Sequence, residues 1–240
     1  MCTLVAWLSV FPEAPLVVAA NRDERLGRPS SGPQRHSGGV PFVAPVDRVA
    51  GGSWWAVNAR QIFIGLTNRA GAMRSADRRS RGLIVTALAQ LAPIAEVESR
   101  LGTLDPLDFN GFHLFATDGA QGLIAVSDGE TMRVERLGPG RHVVTERGFG
   151  AEPPPREAHV RELMAPLSSR PLDLDAIASA LRTHVDPPFE SLCVHVPEFD
   201  YATRSSTVYA RMADGSEALR FAPGPPCTTP FADLSALLRW

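Results

Sequence analysis

Two apolar runs open the chain, and a charged cluster closes the second. Residues 3–9, Thr-Leu-Val-Ala-Trp-Leu-Ser, read as a strand, 11–15 as a Pro-marked turn, and 16–20, Leu-Val-Val-Ala-Ala, as a second strand. That pattern predicts an antiparallel hairpin whose far end carries Asn21-Arg22-Asp23-Glu24. From residue 25 to 50 the periodicity dissolves into Gly, Pro and Ser, which predicts a long loop of the kind that serves a site. His36 lies in that loop and is expected to be exposed. Gly51-Gly52 then leads into strands at 53–57 and 61–66, a second hairpin that ends in Thr67-Asn68-Arg69. Paired glycines allow positive φ at the turn into it. The adjacent Trp54 and Trp55 point to opposite faces of their strand.

Helical spacing takes over next. Leu83, Ile84, Ala87, Leu88 and Leu91 recur at i, i+3 and i+4, predicting a helix over 80–90 capped by Ser80. A shorter helix follows Pro93, at 94–101. The basic cluster Arg74, Arg78, Arg79 and Arg81 reads as a solvated face, with contact to an anionic substrate group as its other use. Asp108-Phe109-Asn110-Gly111 is a turn before four strands, 112–117, 122–127, 131–136 and 141–145, with Asp118-Gly119 and Asp128-Gly129 as hairpin turns. His113 and His142 are expected to be satisfied within that meander. After Pro153-Pro154-Pro155 come helices at 156–165 and 174–183, then strands at 191–196, 205–212 and 218–221. Cys193 reads as a core residue of the first of these strands, and the last residues of the chain read as helical. Meanders and helices grouped in this way predict an α+β fold with mostly antiparallel sheets. At 240 residues the chain makes one large domain or two small ones.

Composition removes whole classes of function. A net charge of −2 creates no field favouring nucleic acid or an anionic membrane. All 24 basic residues are Arg, which excludes Schiff-base chemistry, covalent pyridoxal phosphate and a P-loop lysine. Cys2, Cys193 and Cys227 are odd in number and widely spaced, arguing against both a disulfide framework and a zinc cluster. No metal site is therefore expected, and a reducing compartment suits the thiols. The apolar runs at the front lack a basic leader and are broken by Pro12, Glu13 and Pro15. No apolar run reaches the ~18 residues of a membrane span. The expectation is a cytoplasmic protein without membrane insertion.

Cys2 carries the candidate chemistry. Loss of Met1 would leave a thiol and a free α-amine on one residue, a nucleophile beside its own base. An α-amine titrates at roughly 7.7–8.0, so part of it is neutral near pH 7. The hairpin brings the charged end of its second strand toward that thiol. A cation such as Arg22 favours the thiolate, and a carboxylate such as Asp23 can orient the amine. The plainer readings are an inert small hydrophobe at Cys2 and an ordinary ion pair at a strand end.

Met-Cys at the front, Asn21-Arg22-Asp23-Glu24 with Arg28-Pro29, Gly51-Gly52-Ser53-Trp54, Leu66-Thr67-Asn68-Arg69, Asn110-Gly111-Phe112 and Tyr201-Ala202-Thr203-Arg204-Ser205-Ser206-Thr207 occur in this order. Together they resemble the NRDE family, also called the transport and Golgi organisation protein 2 family, over nearly the whole chain. Its motifs are similar to those of N-terminal-nucleophile (Ntn) hydrolases of the penicillin V acylase and bile-salt hydrolase kind. The resemblance implies a single domain over 1–240 with a four-layer αββα sandwich. It implies acyl transfer or amide hydrolysis on a small molecule, with Cys2 as nucleophile, Arg22 and Asp23 tuning it, Asn68 in an oxyanion hole and Arg204 completing the polar wall. Where those acylases place a second active-site Asn, this chain has Thr145-Glu146-Arg147. The family's association with haem trafficking and lipid or acyl-CoA homeostasis gives the alternative, a non-catalytic carrier. Haem would then need an axial ligand, with Cys2, His36, His113 and His142 as candidates.

Overall fold

The computed structural model describes residues 2–72, 74–149, 153–169 and 171–240; Met1, on which the expected trimming falls, lies outside them. The chain forms two compact units. Residues 1–27 and 139–239 build the first, and 28–138 with Trp240 build the second.

The opening hairpin forms as expected, from β1 (Cys2–Phe11) and β2 (Ala14–Arg25). The second strand does not stop at residue 20. It carries the whole charged tetrapeptide, and Cys2 sits directly opposite Arg22, with Thr3 opposite Asn21.

The second unit begins with a correction. Residues 25–50 are not a long loop: β3 (Ser30–His36) and β4 (Phe42–Asp47) pair within them. The polar sequence hides β3 because it is an edge strand, and Pro33 sits where the register shifts between Ser31 and Gln34, the position an edge tolerates. His36 is half-buried, stacked on Phe42 and hydrogen-bonded to the Ala44 carbonyl. The sheet continues through β5 (Trp55–Asn58), β6 (Phe63–Asn68), β7 (Phe112–Thr117), β8 (Gly122–Ser127) and β9 (Met132–Leu137), antiparallel and in sequential order. Helices α1 (Gly82–Leu88) and α2 (Ile94–Gly102) cover one face, where Ile64, Leu66, Leu114 and Ala116 meet Ile84, Leu88, Val97 and Leu101. The first helix is shorter than its periodicity predicts, and Arg81, not Ser80, is its N-cap, with no side-chain cap bond. Gly51 takes φ +74°, while Gly52 lets its loop touch the backbone of Gly82, where a Cβ would collide. The arginine cluster is not simply solvated. Arg78 donates to the carbonyls of Phe109 and Gly129, and Arg81 to that of Gly111.

The fourth strand expected in the meander leaves it. Following Gly138-Pro139, with Gly140 at φ +141°, β10 (Gly140–Thr145) pairs with β1 in the first unit. Pro139 supplies no ladder donor and Gly140 takes a backbone path that L-residues rarely follow, so the chain does not fold back on β9. Then come α3 (Pro155–Met164), α4 (Leu174–Ala180), β11 (His195–Val196), β12 (Tyr201–Arg211), β13 (Glu217–Ala222) and β14 (Ala232–Asp233). The strand expected at 191–196 shrinks to two residues. The one expected from 205 starts at Tyr201 and contains Arg204. The last residues form a short 3-10 turn at Ser235–Leu238. Sheet order is β10-β1-β2-β12-β13-β14, with β11 paired to the first two residues of β12. One face carries α3 and α4: Val5, Trp7, Val17, Ala19 and Val208 pack on Val160, Met164, Ile177 and Leu181. Each unit is thus an antiparallel sheet with helices on one face, an α+β architecture as predicted.

Candidate active site

Alternation along β1 and β2 sorts the charged tetrapeptide between two faces. Val5, Trp7, Val17 and Ala19 face the helices, so Thr3, Asn21 and Asp23 share their side. Cys2 and Arg22, opposite one another, share the other side. Asn21 is spent on structure. Its amide donates to the carbonyls of Leu181 and Leu192 at 3.0 and 2.9 Å, and its oxygen accepts from Ser206 Oγ.

Asp23 anchors a buried charge network. Its Oδ2 accepts from Arg156 Nη2 on α3 at 2.6 Å, and its Oδ1 from Thr203 Oγ1 at 2.6 Å. Tyr201 donates its hydroxyl to the Asp23 carbonyl at 3.0 Å. Arg156 reaches on with Nη1 to Glu146 Oε2, 3.1 Å away, and Arg147 meets the other Glu146 oxygen at 3.3 Å. Arg156 is fully buried, and so, within a few per cent, are its two carboxylate partners. Burial opposes the charge on Arg156, but Asp23 and Glu146 outweigh it and raise its pKa further. Glu146 moves up instead, because burial and the Asp23 carboxylate overcome the attraction of Arg156. It lies one residue past the pair Thr3–Thr145, where the acylases were expected to place Asn. Its carboxyl is committed to Arg156 and Arg147. Sequence reasoning missed Arg156, Thr203 and Tyr201. The available signal was Asp23 itself, an acid in an apolar strand that requires a cation.

Cys2 is partly accessible. Burial of its sulfur pushes the thiol up, and the Asp23 carboxylate adds to this; the Arg22 guanidinium and the Asp23 backbone N–H pull it down. Arg22 itself is 5% exposed and pairs with Glu24 at 3.6 Å. The phenol of Tyr201 is held far above its ordinary range by burial, the Asp23 carboxylate and Cys2. A direct consequence concerns reactivity. Cys2 should alkylate slowly at neutral pH, its rate rising through a range above the ordinary thiol value of 9.0. Arg22→Leu should push that rise to still higher pH, slowing modification at pH 8 by about tenfold for each unit of pKa. Iodoacetamide kinetics read at the Cys2 peptide check this; an unchanged profile would remove Arg22 from the thiol's surroundings.

Among the expected site residues, Cys2, Arg22 and Asp23 are therefore brought together. Arg204 stands on the neighbouring strand, at a bulge: Thr203 pairs with Asp23 and Ser205 with Arg22, leaving Arg204 as the extra residue. Bulges re-aim a side chain. Its half-exposed guanidinium has no hydrogen bond or ion pair among the described residues. Ser205, opposite Arg22 and so on the Cys2 side, has a buried Oγ with no partner among the described residues. Asn68 belongs to the second unit, where it ends β6 opposite Phe112 and is half-buried. His113 is buried with Nδ1 3.3 Å from Thr67 Oγ1, as expected of a sheet histidine. His142 lies on β10 opposite Ala6.

The family model described as Transport and Golgi organisation 2 matches residues 1–220. The chain belongs to that family. A search of curated proteins finds no match. Solved structures do match. A variant of the conjugated bile acid hydrolase from Clostridium perfringens aligns at TM-score 0.61 with 11% identity, covering 99% of this chain and 94% of that one. Another mutant of the same hydrolase gives TM-score 0.54 at 12% identity, with the same coverages. The Caenorhabditis elegans orthologue of N-acylethanolamine-hydrolyzing acid amidase gives TM-score 0.58 at 14% identity, covering 87% of this chain and 92% of that one. At such identities the likeness establishes the fold, which is that of the Ntn hydrolases. This Transport and Golgi organisation 2 member therefore carries Cys2 at the start of β1 of an Ntn-hydrolase-like fold. No helix among the described residues is long and apolar enough to cross a membrane.

Proposed function

We propose that this protein cleaves the amide bond of a small acylated molecule, with Cys2 as an N-terminal nucleophile exposed by loss of Met1. The sulfur attacks the carbonyl carbon and the C–N bond breaks, leaving a thioester on Cys2. The α-amine takes the thiol proton and returns it to the departing nitrogen; water then splits the thioester into a carboxylic acid and the free thiol. Arg204 with Ser205 is assigned to the polar wall that holds the substrate, and the family resemblance implies an oxyanion role for Asn68. The observation that carries this reading is the placement of Cys2, the first residue of β1, directly opposite Arg22 of β2. The names of the structural neighbours, a conjugated bile acid hydrolase and an N-acylethanolamine-hydrolyzing amidase, support acyl amides as the substrate class. Three free cysteines agree with a reducing compartment such as the cytoplasm.

The carrier reading has less support. An axial haem ligand must be available, and His36 and His113 are already engaged with Ala44 and Thr67. Intact-mass spectrometry tests the hydrolase reading. The mature chain should lack Met1, and incubation with conjugated bile acids, N-acylethanolamines and a reactive p-nitrophenyl ester should add one acyl group that maps to Cys2. A chain that keeps Met1 and takes no acyl group from any of them would end it.

A further inference from the structure

Three segments poor in regular structure converge beside β12. His184 follows α4, Cys193 precedes β11 and His195 opens it, and Cys227 lies in the turn after β13. One donor atom from each of these four residues lies within 4.8 Å of all the others. His195 Nε2 stands between the two sulfurs, 3.5 Å from Cys193 Sγ and 3.2 Å from Cys227 Sγ. The rings of His184 and His195 are 5.2 Å apart at 50°. Cys193 is buried, Cys227 half-buried and His184 exposed, so the cluster runs from the interior to the surface.

We propose that His184, Cys193, His195 and Cys227 bind a zinc ion in a closed, four-coordinate site. Tetrahedral zinc with Zn–S of about 2.3 Å and Zn–N of about 2.0–2.1 Å sets its donors roughly 3.3–3.8 Å apart. For an S···N pair that geometry gives about 3.5–3.6 Å, so one separation, 3.5 Å, is already there, the other, 3.2 Å, opens by about 0.3 Å, and the widest pair closes by about 1 Å. Two thiolates with two imidazoles in tetrahedral reach select zinc over harder cations. A disulfide between Cys193 and Cys227 would explain two of these residues and leave the convergence of both histidines without a cause. Four protein donors leave no open position, so the ion acts as a cross-link between segments. That is what this stretch lacks: between α4 and β12 the regular pairing amounts to the two residues of β11. The site also braces the neighbourhood of Asp23. The Val194 N–H, between two ligands, donates to Thr203 Oγ1 at 2.9 Å, and Thr203 in turn donates to Asp23. The i, i+2 spacing of Cys193 and His195 places both on one side of an extended segment. The remaining ligands are too remote in sequence for any spacing rule to find.

The test is metal content. The full chain, expressed under reducing conditions with zinc in the medium and passed through a desalting column, should carry one zinc per chain by plasma mass spectrometry. Cys193→Ala and Cys227→Ser should each bring this near zero. Replacing zinc with cobalt should produce visible d–d bands and a thiolate-to-cobalt charge-transfer band. Because Cys193→Ala removes a buried side chain, the unmutated chain supplies a second reading. Stripping zinc with 1,10-phenanthroline should open Cys193 and Cys227 to maleimide. A metal-free chain with a Cys193–Cys227 disulfide in its non-reduced peptide map would overturn the proposal. So would zinc that persists in Cys227→Ser.

Discussion

Replacing Arg156 with Leu is expected to lower the unfolding free energy by about 3–5 kcal/mol, one of the larger losses a single substitution causes. The reason is what stays behind. Arg156 is fully buried and forks between Asp23 at 2.6 Å and Glu146 at 3.1 Å, themselves almost wholly buried. Without the guanidinium, two carboxylates face each other out of water. Glu146, whose folded-state pKa burial already raises, would then lose the cation that holds it down and rise further. A raised pKa contributes stability that is present at low pH and lost as pH rises through the folded value. The deficit of the variant should therefore be greatest at neutral pH and shrink as pH falls toward the ordinary carboxylate range. Arg156→Lys should restore only part of the loss, because a single ammonium cannot fork to two acids. Urea unfolding at pH 7 and pH 5 checks both statements. A Leu variant within about 0.5 kcal/mol of the parent, the range of ordinary surface changes, would mean the network carries no weight.

The same network shows how far sequence reasoning reached. The Cys2–Arg22 pairing was legible because a hairpin is local: two apolar runs and a Pro-marked turn fix which residues meet. Arg156 was not, since it lies 133 residues from Asp23, at the start of a helix where no local pattern marks it as buried. β3 was missed for the opposite reason. An edge strand need not be apolar, so Ser-Ser-Gly-Pro-Gln-Arg-His reads as a loop. The departure of β10 from the meander depends on which sheet edge is open to receive it, and spacing along the chain does not encode that. Gly140 was the one visible hint. The zinc ligands were hidden similarly, with His184 and Cys227 brought beside Cys193 and His195 only by the folding of three separate segments.

Cys2→Ala should reduce turnover of the cleaved amide by about 10⁴-fold or more while leaving the unfolding midpoint within about 1 °C of the parent. Removing the nucleophile removes the covalent route altogether, whereas its side chain is partly accessible and ends a strand. Asp23→Asn provides the contrast that separates chemistry from architecture. Asp23 lies behind the thiol, with its carboxylate held by Arg156 and Thr203. Asn there leaves a buried guanidinium short of an anion, so activity and stability should fall together. If loss of the thiol costs stability and spares turnover, Cys2 is a packing residue and the covalent mechanism fails. If both substitutions act as expected, Cys2 carries the reaction and Asp23 serves as the post on which the thiol's end of the sheet is built. Steady-state kinetics and thermal unfolding on the same three preparations decide between them.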